Sequence, residues 1–260
     1  MKTLHSLMLL ALLPLFAACS AQNNTPAVTP AAAPAAVAAP APAPPASPGE
    51  AATAAEQAAP APVAATTPSG PAPVAGTDYV EIPGGAPFAA GTGKLEVAEV
   101  FGYTCPHCAQ FEPVLKSWKR SQPADVNVVS VPAVFGGYWE TYARAFYAAE
   151  TLGVLERSHD AMFNAVHVQR SLGLDATPEQ IGAFYAQYGI DPKTFASTMK
   201  SFGVETKLNR AKQFAMRSKI EGTPSIVVDG KYLVSVDQRG SEHMFNTVEH
   251  LLARSRAGGG

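Results

Sequence analysis

A chain of 260 residues with 19 basic and 21 acidic side chains has room for one or two domains and no charge excess for holding a polyanion. The hydrophobic fraction of 47% overstates the core, because residues 17–78 contain no aromatic side chain and no Leu, Ile or Met. Thirteen of the 23 prolines lie between Pro26 and Pro73, and such a stretch cannot bury enough apolar surface to offset the entropy of ordering it.

The foldable part therefore runs from Thr77 to Arg256, about 180 residues, enough for one domain with a sizeable core. Removing Lys2, Glu50 and Glu56 leaves it 18 basic and 19 acidic residues, a balance that argues against a nucleic-acid partner. No apolar run reaches the length of a membrane-spanning helix.

The amino terminus reads as an address. Lys2 gives a basic start, and Leu4–Phe16 supply an apolar stretch of signal-peptide length that is too short to span a bilayer. The run ends Leu15-Phe16-Ala17-Ala18-Cys19. Small residues directly before a cysteine resemble the lipobox of bacterial lipoproteins. That likeness makes residues 1–18 the signal segment and Cys19 the lipidated new amino terminus. Ordinary secretory cleavage would instead leave Cys19 a free thiol, an odd export into an oxidising compartment. Residues 19–76 then read as an Ala/Pro-rich tether. As a coil it would span on the order of 40 Å, and as extended polyproline II on the order of 170 Å. An inert spacer would have the same composition.

Leu95–Phe101 predicts a strand in which apolar residues alternate with Glu96 and Glu99. It runs through Gly102-Tyr103-Thr104 into Cys105-Pro106-His107-Cys108. Beyond that, Phe111, Val114, Leu115 and Trp118 recur at helical spacing. Pro106 suits a first helical turn, and Pro113 should kink the helix further on. A cysteine at a helix amino terminus faces unpaired N–H groups and the positive end of the dipole, which favour its thiolate. His107 in the same turn can add a hydrogen bond or a positive charge. Cys105 is thus expected to be the exposed attacking thiol, and Cys108, one turn on, the shielded resolving one.

Other readings of the pair fare worse. Zinc needs four ligands and no second cysteine pair exists, while c-type haem needs a His where Ala109 stands. A structural disulfide is possible in an exported chain. No metal or other cofactor is implied.

Further along, Val126–Val131 predicts a second strand stopped by Pro132. Helices are expected over Tyr138–Leu155, Glu156–His167, Pro178–Tyr188, Pro192–Ser201 and Val204–Ile220, with starts at Thr177-Pro178 and Asp191-Pro192. Ser225–Asp229 and Tyr232–Val236 read as a hairpin around Asp229-Gly230. A last helix covers Ser241–Arg254, and residues 257–260 should be disordered. His159 and His167 share a helix face but have no evident co-ligand. Like His243 and His250, they read as surface or packing residues. Tyr138, Trp139, Tyr142 and Phe146 read as core rather than as a substrate groove.

Glu99-Val-Phe-Gly-Tyr-Thr-Cys-Pro-His-Cys108 and Gly222-Thr223-Pro224, with Ser225-Ile-Val-Val-Asp-Gly-Lys after it, resemble the DsbA family of periplasmic thiol–disulfide oxidoreductases. The likeness covers most of residues 77–256. It implies an α/β thioredoxin fold with an inserted α-helical domain, here about residues 137–202. It implies that Cys105 and Cys108 form the redox disulfide. Pro224 would be cis and pack against that disulfide, and Thr223 would offer backbone groups to an extended substrate peptide. Glu99 matches a buried acid that helps move protons during exchange. Many members carry a lysine on the next strand, but Asp125–Val131 offers none.

The implied activity is donation of the disulfide to unfolded secreted proteins with free thiols. Reoxidation would come from a DsbB-like quinone reductase of the inner membrane, with the chain held to a membrane by its lipid. A reductase or isomerase, or a tethered binding module with a structural disulfide, are the alternatives.

Overall fold

The computed structural model describes residues 67–236 and 239–258. The expected signal segment, Cys19, the tether up to residue 66 and the last two residues lie outside them. The order is β1 (Val80–Glu81), β2 (Leu95–Phe101), α1 (Pro106–Arg120), β3 (Val126–Pro132), α2 (Tyr138–Thr151) and α3 (Leu155–Phe163). A π-helical turn (Asn164–Val168), α4 (Pro178–Tyr185), α5 (Pro192–Met199) and α6 (Phe202–Arg217) follow. The chain closes with β4 (Ser225–Val228), β5 (Tyr232–Ser235) and α7 (Gly240–Gly258).

The five strands form one sheet in the order β1-β5-β4-β2-β3. β2 pairs in parallel with β3 and antiparallel with β4, so Glu99 lies between Ser130 and Ile226. All of β2 beyond Leu95 is buried, as a strand covered on both faces must be. On one face Val97, Ile226 and Val228 cluster with Phe111 and Leu115 of α1 and Leu251 of α7. On the other, Ala98, Val100 and Val227 meet Tyr142 and Phe146 of α2 and Phe163 of α3. This is a thioredoxin-like sheet with a helical block, α2 to α5 and the start of α6, inserted between β3 and β4. Asp229 and Gly230 both adopt positive φ (50° and 66°) and close the β4–β5 hairpin as the Asp-Gly pair implies.

Several boundaries differ from those the sequence suggests. The helix expected over Tyr138–Leu155 stops at Thr151, because Gly153 turns left-handed (φ 69°) and a new helix starts at Leu155. The next ends in a π turn rather than running as α-helix to His167. Ala257 and Gly258, expected in a disordered tail, belong to α7. β1 is too short to leave a pattern and exists through pairing with β5.

Part of the expected tether also lies on the domain. Gly70 N–H donates to Asn246 of α7 at 2.9 Å, and Pro71 O accepts from the same amide at 3.0 Å. Asp78 fastens the segment further. Its carboxylate takes the Val74 N–H, Arg239 and His243, which hold its pKa down to about 2.

Gly102, at the exit of β2, sits where Trp139 of α2 presses on the backbone. A Cβ there would lie 2.2 Å from the indole. The insertion thus supports the turn that carries the cysteines. Gly102→Ala should destabilise the protein by about 1–3 kcal/mol through this overpacking. Gly203→Ala on α6, where an added Cβ would meet only the Ser201 hydroxyl at 4.0 Å, should be neutral or stabilising by up to about 1 kcal/mol. Denaturant unfolding of the two variants checks the opposite signs.

Candidate active site

β2 delivers the chain to a tight turn in which Cys105 N–H donates to Gly102 O at 3.0 Å. Cys105 leaves extended geometry (φ −89°, ψ 116°) as the N-cap of α1, with Pro106 as the first helical residue. Its Sγ accepts the Cys108 N–H at 3.3 Å, the bond that a capping side chain makes. Both cysteines are free thiols and buried. Cys105 keeps 6% of its surface and Cys108 none, so the expected exposed thiol is exposed only relative to its partner.

The Thr223–Pro224 peptide is cis, and Thr223 comes from the far end of the sequence to face the motif. In its thiol form Cys105 Sγ–H donates to Thr223 O at 3.5 Å. As a thiolate it is held by the Cys108 S–H first, then by the Thr223 hydroxyl and the N–H groups of residues 108 and 107. These donors outweigh burial and bring its pKa from 9.0 to about 5. Cys108 moves the opposite way, because it donates to Cys105 and is buried.

His107 helps through its backbone. Its side chain is exposed, and its imidazole makes no hydrogen bond among the described residues. The imidazole hydrogen bond that the sequence allows is therefore not made in this geometry.

Glu99 is completely buried on β2, and neither carboxylate oxygen has a hydrogen-bond partner among the described residues. Burial first, then the charges of Glu112 and Cys105, push its pKa well above the ordinary carboxylate value. Lys119 and the Ser130 hydroxyl offset this only in part. Ser130 occupies the paired position on β3, in keeping with a strand that lacks lysine. Among the described residues no group of His, Cys, Asp or Glu could hold a metal ion.

His159 and His167 are packing residues, half-buried against the active-site turn. His159 Nδ1 lies 2.7 Å from the Tyr103 hydroxyl, and His167 Nε2 donates to Tyr103 O at 2.7 Å. Together they clamp the residue two before Cys105, and the π turn sets where His167 arrives. His159 Nε2 also faces Glu112 Oε2 at 3.5 Å. Glu112, part of the Gln110-Phe111-Glu112 run that also resembles the family, was given no role from sequence, although Cys105, Cys108 and Glu112 at i, i+3 and i+7 share one helix face. Of the aromatic residues on α2, Tyr142 and Phe146 are core and Trp139 backs Gly102, whereas Tyr138 is 45% exposed.

A DSBA-like thioredoxin domain matches residues 130–251. The thiol:disulfide interchange protein DsbA of Pseudomonas aeruginosa is 38% identical over 184 residues, spanning 70% of this chain and 86% of that relative. Its namesake from Azotobacter vinelandii is 39% identical over 70% of this chain and 84% of its own. The chain belongs to the DsbA family. The crystal structure of the oxidoreductase DsbA from Xylella fastidiosa superposes with a TM-score of 0.68 at 46% identity, covering 71% of this chain and 98% of that one. This member is accordingly a thiol:disulfide oxidoreductase that donates a disulfide, built on the thioredoxin fold with a helical insertion.

The depressed Cys105 pKa fixes a pH dependence. An unfolded thiol titrates near 9.0 and the folded one near 5. The resulting stabilisation of the reduced protein is complete above about pH 9 and lost as the pH falls towards about 5. The oxidised protein has no such thiol. Unfolding temperatures of the two forms should therefore diverge as pH rises through this window, with the reduced form higher. A gap independent of pH would contradict the assignment.

Proposed function

We propose that Cys105 and Cys108 form the disulfide this protein gives to exported proteins in the periplasm. A substrate thiolate attacks Cys105 Sγ, the S–S bond breaks, and Cys108 leaves with the electron pair and takes a proton. A second substrate thiolate attacks the substrate sulfur of the mixed disulfide. The substrate gains its bond, and Cys105 leaves as a thiolate. The observation carrying this reading is the set of donors that hold the Cys105 thiolate and so favour the reduced product. Thr223, whose backbone borders Cys105, offers hydrogen bonds to the extended substrate chain, with Pro224 shaping the approach. Glu99, neutral and buried beneath the pair, supplies and recovers the proton of Cys108. His107 serves through its N–H.

A DsbB-like quinone reductase of the inner membrane restores the disulfide. Lipid on Cys19 after removal of residues 1–18 anchors the chain, and the Ala/Pro-rich stretch gives the domain its reach.

Replacement of each cysteine separates the roles. Cys105→Ser should fold and lose oxidase activity by several orders of magnitude. Cys108→Ser should accumulate a mixed disulfide between Cys105 and substrate. Mass spectrometry of the exported protein reads that adduct and also the Cys19 modification. Oxidase activity in Cys105→Ser would reject the assignment, and an unmodified or absent Cys19 would reject the anchor.

A further inference from the structure

β2 ends at Phe101, and the chain crosses Gly102, Tyr103 and Thr104 before Cys105 caps α1. Cys105 N–H closes on Gly102 O at 3.0 Å. Of the backbone groups of Tyr103 and Thr104, only the Tyr103 carbonyl is hydrogen-bonded among the described residues, and its donor is His167 Nε2 at 2.7 Å. The Thr104 hydroxyl, buried next to the cysteine, has no partner. Phe101, Phe163 and His159 pack around the Tyr103 ring. That packing fixes the side chain and leaves the peptide plane to be fixed by His167.

The orientation of this plane matters because it carries the sulfur. Cys105 Sγ lies 3.3 Å from the Cys108 nitrogen and 3.5 Å from Thr223 O. Contacts of this kind weaken steeply with misalignment. Whatever holds residues 103 and 104 therefore decides how well the donors at the amino end of α1 meet the sulfur.

His167 reaches Tyr103 from an unusual stretch of backbone. Gln169 N–H bonds Asn164 O at 2.9 Å and closes the π turn. The N–H groups of Ser171 and Leu172 converge on Ala165 O at 2.9 and 3.3 Å, and between the two Arg170 adopts a left-handed φ of 53°. A π turn and a left-handed non-glycine residue are both costly local geometries, and they cluster where a side chain has to be placed. The turn packs against α1, and the ring of Phe163 flanks the imidazole with centroids 6.4 Å apart. A carbonyl can only accept, so Nε2 carries the hydrogen in the neutral ring and in the charged one alike. The bond thus persists when His167 titrates.

We propose that His167 is a positioning residue for disulfide exchange. Its hydrogen bond to the Tyr103 carbonyl holds the segment bearing Cys105 and sets how strongly the helix and Thr223 stabilise the Cys105 thiolate. The inserted helical block thereby tunes the redox equilibrium of the pair. This role rests on the exchange assigned above to Cys105. His167 itself takes up no proton and passes no electron.

The test is equilibration of the full chain with glutathione, together with titration of the Cys105 thiolate by its ultraviolet absorbance. His167→Met keeps the half-buried site filled with an adaptable side chain but removes the donor. It should shift the equilibrium about tenfold towards the disulfide form, roughly 30 mV to a more negative potential, and move the thiolate titration to higher pH. His167→Gln supplies an amide N–H for the same carbonyl and should return both readouts most of the way to wild type. A purely structural role would lower the unfolding temperature of His167→Met and leave both readouts unmoved, which would overturn the proposal. An equal shift in His167→Met and His167→Gln would overturn it too, because the donor would then be irrelevant. Cys105→Ser separates the two levels. If that variant is inactive and His167→Met keeps the wild-type potential, the positioning role alone falls. If Cys105→Ser retains oxidase activity, the exchange on which the role rests falls with it.

Discussion

The amino end of α1 can hold one buried negative charge, and the distribution of hydrogen-bond donors decides which atom carries it. Cys105 and Glu99 both lose hydration in the same small volume, and each raises the cost of charging the other. Cys105 is met by the Cys108 S–H, the Thr223 hydroxyl and two helix N–H groups. Glu99 has no comparable set of donors, and the Ser130 hydroxyl offsets its burial only in part. The charge therefore settles on sulfur, and the carboxyl keeps its proton. Both properties needed for exchange follow from this asymmetry. The reduced state is stabilised by its thiolate, and a proton is stored beneath the leaving sulfur.

The fold exists around that arrangement in a concrete sense. β2 sets Glu99 and the Cys105 turn within one continuous segment, and β4 begins immediately after Pro224. The β2–β4 ladder, with Val100 opposite Ser225, therefore brings Thr223 to Cys105 across a sequence gap of 118 residues. The insertion contributes from behind. Trp139 presses on Gly102, and His159 and His167 hold Tyr103 from either side.

Whatever depended on local chemistry was legible in the sequence. The alternation in β2, the Pro at the first position of α1, the Asp-Gly hairpin and the caps at Thr177 and Asp191 each specify their geometry within a few residues. The Cys-Pro-His-Cys motif announced its chemistry because a thiol at a helix N-cap has few other uses. What remained hidden depended on contacts distant in sequence. His159 and His167 looked idle because their shared partner, Tyr103, is 56 and 64 residues away. The imidazole of His107 seemed placed to help, yet a side chain in the first turn can point to solvent while its N–H serves the cap. Glu96 carried no reading of its own beyond its place in the alternation. The sheet is covered on both faces, and Glu96 turns out to be buried, accepting the N–H groups of Phe88 and Ala89.

The central claim is that donors at the amino end of α1 stabilise the Cys105 thiolate enough to make the reduced protein the favoured product. The reduction potential of the Cys105–Cys108 pair, measured by equilibration with glutathione, tests it most directly. Each pKa unit of thiolate stabilisation corresponds to about 30 mV for a two-electron couple. The account predicts a strongly oxidising value, on the side of about −120 mV. A value near about −270 mV, that of a thioredoxin-like reductant, would contradict it.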